Sequence, residues 1–185
     1  MRTNETFNKR ILPKIQKALT PRIRDDIMTF KAPDLKNTPL YSQYIYGKKG
    51  CGKTIYATHL MIEHTRRAYL GDSGEGFGFI NMVEFIYQLR QSIGGERDAD
   101  KRMIANCCEC DFIVLDDFGT VKPTDWVMEV LYLIINTRYE FKRTTVFTSN
   151  LTLKELGDLL QDHRLVSRIE RMCEEIVEKK HWKNG

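Results

Sequence analysis

The segment Gly47-Lys48-Lys49-Gly50-Cys51-Gly52-Lys53-Thr54 follows the short apolar run Tyr44-Ile45-Tyr46 and opens a helical pattern that runs from Thr54 to about Tyr69. A glycine-rich turn between a strand and a helix commits a chain to a narrow set of α/β folds. Its glycines let the backbone wrap an anion with the N–H groups pointing inward. The N-terminus of the helix behind it adds a field that favours negative charge. The spacing G-x4-G-K-T predicts a triphosphate site formed by Gly47, Lys48, Lys49, Gly50, Cys51, Gly52, Lys53 and Thr54. Lys53 would reach the β- and γ-phosphates, and Thr54 would ligate the metal. The implied cofactors are therefore ATP and Mg²⁺.

Downstream, strands and helices alternate. Phe77-Gly78-Phe79-Ile80 reads as a second strand, followed by a helix from Val83 to Ile93 with Phe85, Ile86 and Leu89 inward. Phe112-Ile113-Val114-Leu115 is a continuous apolar run, as expected of a strand covered on both faces. Val127, Val130, Leu131, Ile134 and Ile135 give a helix over 125–139 a wide apolar face. Residues 144–149 read as the next strand, 153–160 and 164–172 as helices, and 175–177 as a last short strand. This alternation predicts βαβ units and a mostly parallel sheet.

Three further clusters carry candidate chemistry. The apolar strand at 112–115 delivers Asp116 and Asp117 at its C-terminal end, where open α/β sheets bind ligands. Asp116 would hold Mg²⁺ directly or through water. Asp117 would orient or deprotonate an attacking water; a solvated acidic turn before Gly119 is the bland alternative. Asn150, in Thr148-Ser149-Asn150, could hold the lytic water or touch the γ-phosphate, or could simply cap the following helix. Arg164 and Arg168 lie far from the phosphate loop in sequence. An outward-pointing arginine there could complete a neighbouring subunit's site, although the residues by themselves favour the plainer reading of a surface helix with alternating charges.

Net charge is +4, and it is concentrated: residues 1–36 carry nine Lys/Arg against four acids, which leaves the remainder at −1. A basic arm on a near-neutral body suits contact with nucleic acid or an acidic partner, or a solvated surface segment. Ala32-Pro33-Asp34 and Asn37-Thr38-Pro39 are linker chemistry and divide a short basic arm (1–36) from the nucleotide-binding domain (37–185). Within the arm, Pro13 opens a short helix with Ile15 and Leu19 on one side, too short to fold alone. No apolar run reaches the roughly 18 residues of a membrane span, and the N-terminus lacks the apolar core of a signal peptide. A cytoplasmic location without a membrane partner is expected. The five cysteines form no disulfide framework on this reading. Cys107, Cys108 and Cys110 lack the second distant pair that zinc sites use, and read as small buried residues ahead of a core strand.

Taken together, the order of motifs resembles the AAA+ ATPases of the DnaC/IstB helicase-loader group, which is related to the initiator DnaA. The matching pieces are residues 46–54, 111–119, Ile135-Asn136-Thr137-Arg138-Tyr139, 144–151 and Ser167-Arg168-Ile169, with Phe79-Ile80-Asn81-Met82-Val83-Glu84-Phe85 fitting the second strand and its helix. The resemblance covers roughly residues 40–180. It implies a three-layer P-loop fold around a five-stranded parallel sheet of order 5-1-4-3-2, with no separate lid domain. It also implies Walker roles for Lys53, Thr54, Asp116 and Asp117, a γ-phosphate sensor at Asn150 and an arginine finger acting in trans at Arg168. The group's C-terminal sensor arginine is represented at best by Lys183. Many AAA+ proteins carry Glu where Asp117 stands, and the shorter base implies slow turnover. The function so implied is ATP hydrolysis in DNA replication, with a homo-oligomer, a replicative helicase and single-stranded DNA as partners. A transposition helper of the IstB type, a nucleotide or small-molecule kinase, and a nucleotide-binding module without turnover are the competing readings.

Overall fold

The computed structural model describes residues 2–29, 33, 35, 38, 40–71, 76–93, 98–173 and 175–178. Three short helices, α1 (Asn4–Arg10), α2 (Leu12–Ala18) and α3 (Pro21–Thr29), precede the first strand, β1 (Gln43–Tyr46). Then follow α4 (Lys53–Leu70), β2 (Phe77–Asn81), α5 (Met82–Ser92), α6 (Ala99–Glu109) and β3 (Phe112–Asp116). The chain continues through α7 (Asp125–Glu140), β4 (Thr144–Ser149), α8 (Leu153–Leu160), α9 (His163–Met172) and β5 (Glu175–Glu178). The five strands form one parallel sheet of order β2-β3-β4-β1-β5. This is the predicted 5-1-4-3-2 order, read from the opposite edge.

Because successive side chains on a strand point to opposite faces, β1, β3 and β4 each feed two cores. Tyr44, Ile113, Leu115 and Phe147 face a layer formed by α5, α7, α8 and α9. Ile45, Phe112, Val114 and Val146 face α4 and the N-terminal helices. All five residues of β3 are buried, as its unbroken apolar run requires.

Where the sequence predicted one short helix opening at Pro13, there are three. Helices of seven residues are marginal in water; here they are held by packing. Phe7, Ile11, Ile15, Leu19 and Ile27 are buried in the same cluster as Leu60, Met61 and Tyr69 of α4. The Phe7 and Tyr69 rings lie 5.9 Å apart, and the Tyr69 hydroxyl bonds to Thr6 Oγ1 at 3.1 Å. Thr3 and Thr6 form a reciprocal cap on α1. Lys9, Arg10, Lys14 and Lys17 remain exposed.

Helix α6 is not predicted by the sequence; Cys107 and Cys108 lie in its last turn, buried and just ahead of the core strand β3 as expected. Burial pushes the Cys107 thiol up to about 12 and raises Cys108 and Cys110 as well, so these thiols stay protonated near neutrality. Among the described residues no group of three His, Cys, Asp or Glu side chains is placed to hold a metal ion.

What organises this corner is Arg138 of α7, which is fully buried. Its Nη1 donates to the carbonyls of Cys107 (2.9 Å) and Cys110 (2.8 Å), its Nη2 to Thr144 O (2.7 Å) and its Nε to Thr145 Oγ1 (2.8 Å). Helix C-termini leave carbonyls unsatisfied and favour a cation; Arg138 meets both needs for α6 while tying α7 to β4. Burial holds its pKa below the usual arginine range. Replacing Arg138 with Met is expected to remove about 3 kcal/mol of stability in urea denaturation, because buried carbonyls lose their donors. Lys should restore little, since an ammonium cannot span the planar fork. A loss below about 1 kcal/mol for Arg138→Met would contradict this account.

Candidate nucleotide site

The C-terminal ends of β1, β3 and β4 lie side by side at one rim of the sheet. The loop leaving β1 turns on Gly50 (φ 80°) and Gly52 (φ 94°), both in the left-handed region where glycine carries no Cβ penalty. Gly52 precedes α4 directly, so the first N–H groups of that helix belong to the loop.

Lys53 is buried at the base of this loop. Its Nζ donates to Gly47 O (2.8 Å), to Lys48 O (3.1 Å) and to Asn150 Oδ1 (2.9 Å). Cys51 is buried beside it, its Sγ 3.9 Å from Nζ. The ammonium is thus held by carbonyl oxygens, an arrangement that orients it without neutralising it.

Asp116 closes β3. Its Oδ1 accepts from Thr54 Oγ1 at 2.8 Å and from Thr148 Oγ1 at 2.6 Å. Both bonds fall on one oxygen, so the second carboxylate oxygen is available to other donors or to a cation. Burial raises the Asp116 pKa; the Thr148 and Thr54 hydroxyls oppose the shift, Asp117 adds to it and Lys53 subtracts. Asp117 adopts a left-handed conformation (φ 56°) that turns the chain away from the strand. Its N–H is held by Thr148 Oγ1 (3.0 Å), and the next N–H, of Phe118, by Thr148 O (2.8 Å). Ser149 Oγ closes the turn by donating to Phe118 O at 2.6 Å.

Asn150 does not cap the following helix. Thr152 does so, in a reciprocal box with Glu155, which leaves the Asn150 amide to face Lys53.

A cavity of about 650 Å³ opens over these groups. Of the predicted site residues, Lys49, Gly50, Gly52, Lys53, Thr54, Asp116, Asp117 and Asn150 line it. Gly47, Lys48 and Cys51 belong to the loop but not to the cavity lining; the carbonyls of Gly47 and Lys48 and the Cys51 sulfur contact Lys53 Nζ. Arg168 is not in the cavity wall: it lies on α9 with its guanidinium carbon 4.8 Å from the centroid of the Tyr132 ring. Sequence reasoning missed Arg22, Ile23 and Asp26 of α3, Phe79 and Asn81 of β2 and Glu84 of α5, which complete the wall. Asn81 lies in register with Asp116, so the strand pairing would have located it. No local signal marks the α3 residues, which reach the site through packing on α4.

The sign of Asp116's contribution to stability follows from its raised pKa. Between the unfolded and folded values the native state holds the extra proton, so stability falls as pH rises through that window. Asp116→Asn keeps an oxygen to accept both threonine hydroxyls and removes the buried charge. It should therefore raise stability near neutrality by about 0.5–2 kcal/mol, with the gain shrinking as pH drops toward the ordinary carboxylate range. Thermal melts across pH would show this; a variant destabilised at neutral pH would contradict it.

A glycine loop, a lysine and an aspartate converging at the rim of a 5-1-4-3-2 sheet define a P-loop nucleotide-binding protein of the AAA+ class. Residues 42–180 match the IstB-like ATP binding protein family, and the chain belongs to that family. The replicative helicase loader DnaI of Bacillus subtilis (strain 168) is 27% identical over 114 residues, covering 61% of this chain and 34% of that protein. The chain thus spans about a third of this curated relative. A crystal structure of the DnaC helicase loader superposes with a TM-score of 0.61 at 23% identity, over 97% of this chain and 93% of that one. The replication initiator DnaA bound to AMPPCP and single-stranded DNA gives 0.62 at 18% identity, over 92% of this chain and 46% of that one. At these identities the superpositions establish the fold. The family match and the DnaI similarity support the resemblance to the DnaC/IstB group drawn from the sequence.

Proposed function

We propose that this chain binds ATP·Mg²⁺ and hydrolyses ATP as an accessory factor in DNA replication, assembling with itself and with a replicative helicase on single-stranded DNA. The observation that carries the reading is the convergence of Lys53, Thr54, Asp116 and Asn150 on one cavity. The loop N–H groups and Lys53 bind the phosphates. Thr54 and Asp116 offer adjacent hard oxygen ligands suited to Mg²⁺, which when bound would neutralise charge on the β- and γ-oxygens. Asp117 orients or deprotonates the attacking water, and Asn150 holds Lys53 and meets the γ-phosphate. Arg168, outside its own subunit's cavity, acts on a neighbour's. Residues 1–36 supply a basic surface, and Lys9, Arg10, Lys14 and Lys17 are exposed there for phosphate contact.

The printed role of DnaI, a replicative helicase loader, supports the replication reading. The family description equally admits a transposition helper with the same core. Co-purification from native lysate with a non-hydrolysable ATP analogue separates the two, by recovery of a replicative helicase or of a transposase. Turnover without any added acceptor would set aside a kinase. Among the described residues no helix is long and apolar enough to cross a membrane, which suits a cytoplasmic protein.

ATPase activity per subunit should rise with protein concentration, and mixing Arg168→Ala with Lys53→Ala should recover part of the lost activity. A flat profile with inactive mixtures would remove Arg168 from the site. If the N-terminal surface carries DNA, Lys14→Ala with Lys17→Ala should lower the log–log salt slope of single-strand binding by about 1–1.5. An unchanged slope would place the DNA elsewhere.

A further inference from the structure

We infer that Tyr132 is a positioning residue, the platform that presents Arg168 to the neighbouring subunit's phosphate site. This rests on the reading of Arg168 as a residue acting in trans. Arg168 and Tyr132 meet where α9 packs on α7. Leu165 and Ile169, which flank Arg168 on α9, are buried in the same cluster as Leu131, Ile134 and Ile135, which surround Tyr132 on α7. The backbone positions of both residues are therefore fixed by the core, while their side chains reach a half-buried surface.

The way Arg168 is held is unusual for a surface arginine. Its guanidinium lies over the Tyr132 ring at 4.8 Å. Its Nε is buried and has no hydrogen-bond partner among the described residues. Its one hydrogen bond there is a long one, from Nη1 to Arg164 O at 3.5 Å, and it pairs with no carboxylate among those residues. By contrast Arg164, one turn earlier, lies 3.7 Å from Asp162.

A carboxylate partner would fix the side chain but would also neutralise it and occupy its donors. An aromatic face restrains the guanidinium plane through the ring quadrupole and takes up none of its N–H groups. The stack thus lowers the freedom lost on engaging an anion while leaving charge and donors available for phosphate oxygens. Only the ring face is needed, so the hydroxyl of Tyr132 is dispensable.

The test uses mixed full-length chains. Lys53→Ala serves as the donor, with an intact Arg168 and a disabled site of its own. Arg168→Ala is the recipient, with an intact site and no finger. Their mixture sets the reference recovery of ATPase activity. Adding Tyr132→Leu to the donor should cut that recovery between about twofold and tenfold, whereas Tyr132→Phe in the donor should leave it unchanged. Tyr132→Leu in the recipient should have no effect, and thermal melts should find every variant folded. Full recovery with the Tyr132→Leu donor would overturn the proposal while leaving Arg168 in place. An equal loss whichever partner carries the change would reveal a structural role only and would also overturn it. No recovery in the reference mixture would remove the trans role of Arg168, and that of Tyr132 with it.

Discussion

The rim of this molecule is organised around one oxygen atom. Asp116 Oδ1 accepts a hydroxyl from the phosphate-loop helix through Thr54 and another from β4 through Thr148. Those two bonds join α4, β3 and β4 at the point where the sheet opens. Thr148 then holds the N–H groups of Asp117 and Phe118, which sets the left-handed turn that follows. Burying a carboxylate here is unfavourable in isolation, and the two hydroxyls offset the desolvation only in part, as the direction of the pKa shift indicates. The result is a carboxylate held at a fixed position on the rim of the cavity.

Two buried cations reveal how the fold treats charge. Lys53 and Arg138 are both satisfied largely by backbone carbonyls, yet to different ends. Arg138 spends its donors on the end of α6, on β4 and on the approach to β3, and so acts as a structural clamp. Lys53 is held by two loop carbonyls and the Asn150 amide oxygen, beside the cavity rather than sealed away from it. Arg168 follows a third pattern, restrained by a ring and left with donors to spare. Each treatment matches the exposure of the group: Arg138 is sealed, Lys53 borders the cavity, and Arg168 stands at a half-buried surface.

Much of this was legible in the chain. The phosphate loop, the strand ending in Asp116-Asp117 and the Asn150 tip are local patterns whose spacing is set by strand and turn geometry, and their meeting followed from a parallel sheet. All five strands and helices α4, α5, α7, α8 and α9 were readable from the sequence pattern. The N-terminal helices were not, because α1 and α2 are seven-residue helices with weak intrinsic stability that form only against α4. Helix α6 was hidden because its N-cap makes no side-chain hydrogen bond and its C-terminal carbonyls are met by Arg138 from a distant element.

By itself, then, the sequence determined the fold class, the order of the strands through resemblance, and many of the residues that line the candidate site, since each depends on patterns along the chain. Tertiary structure alone decided that Thr54 and Thr148 share one oxygen of Asp116, that α3 forms a wall of the cavity, and that Arg168 rests on Tyr132. Those contacts join residues separated by 32 to 62 positions or more, and no local propensity encodes a pairing that exists only once two packed layers meet across a sheet.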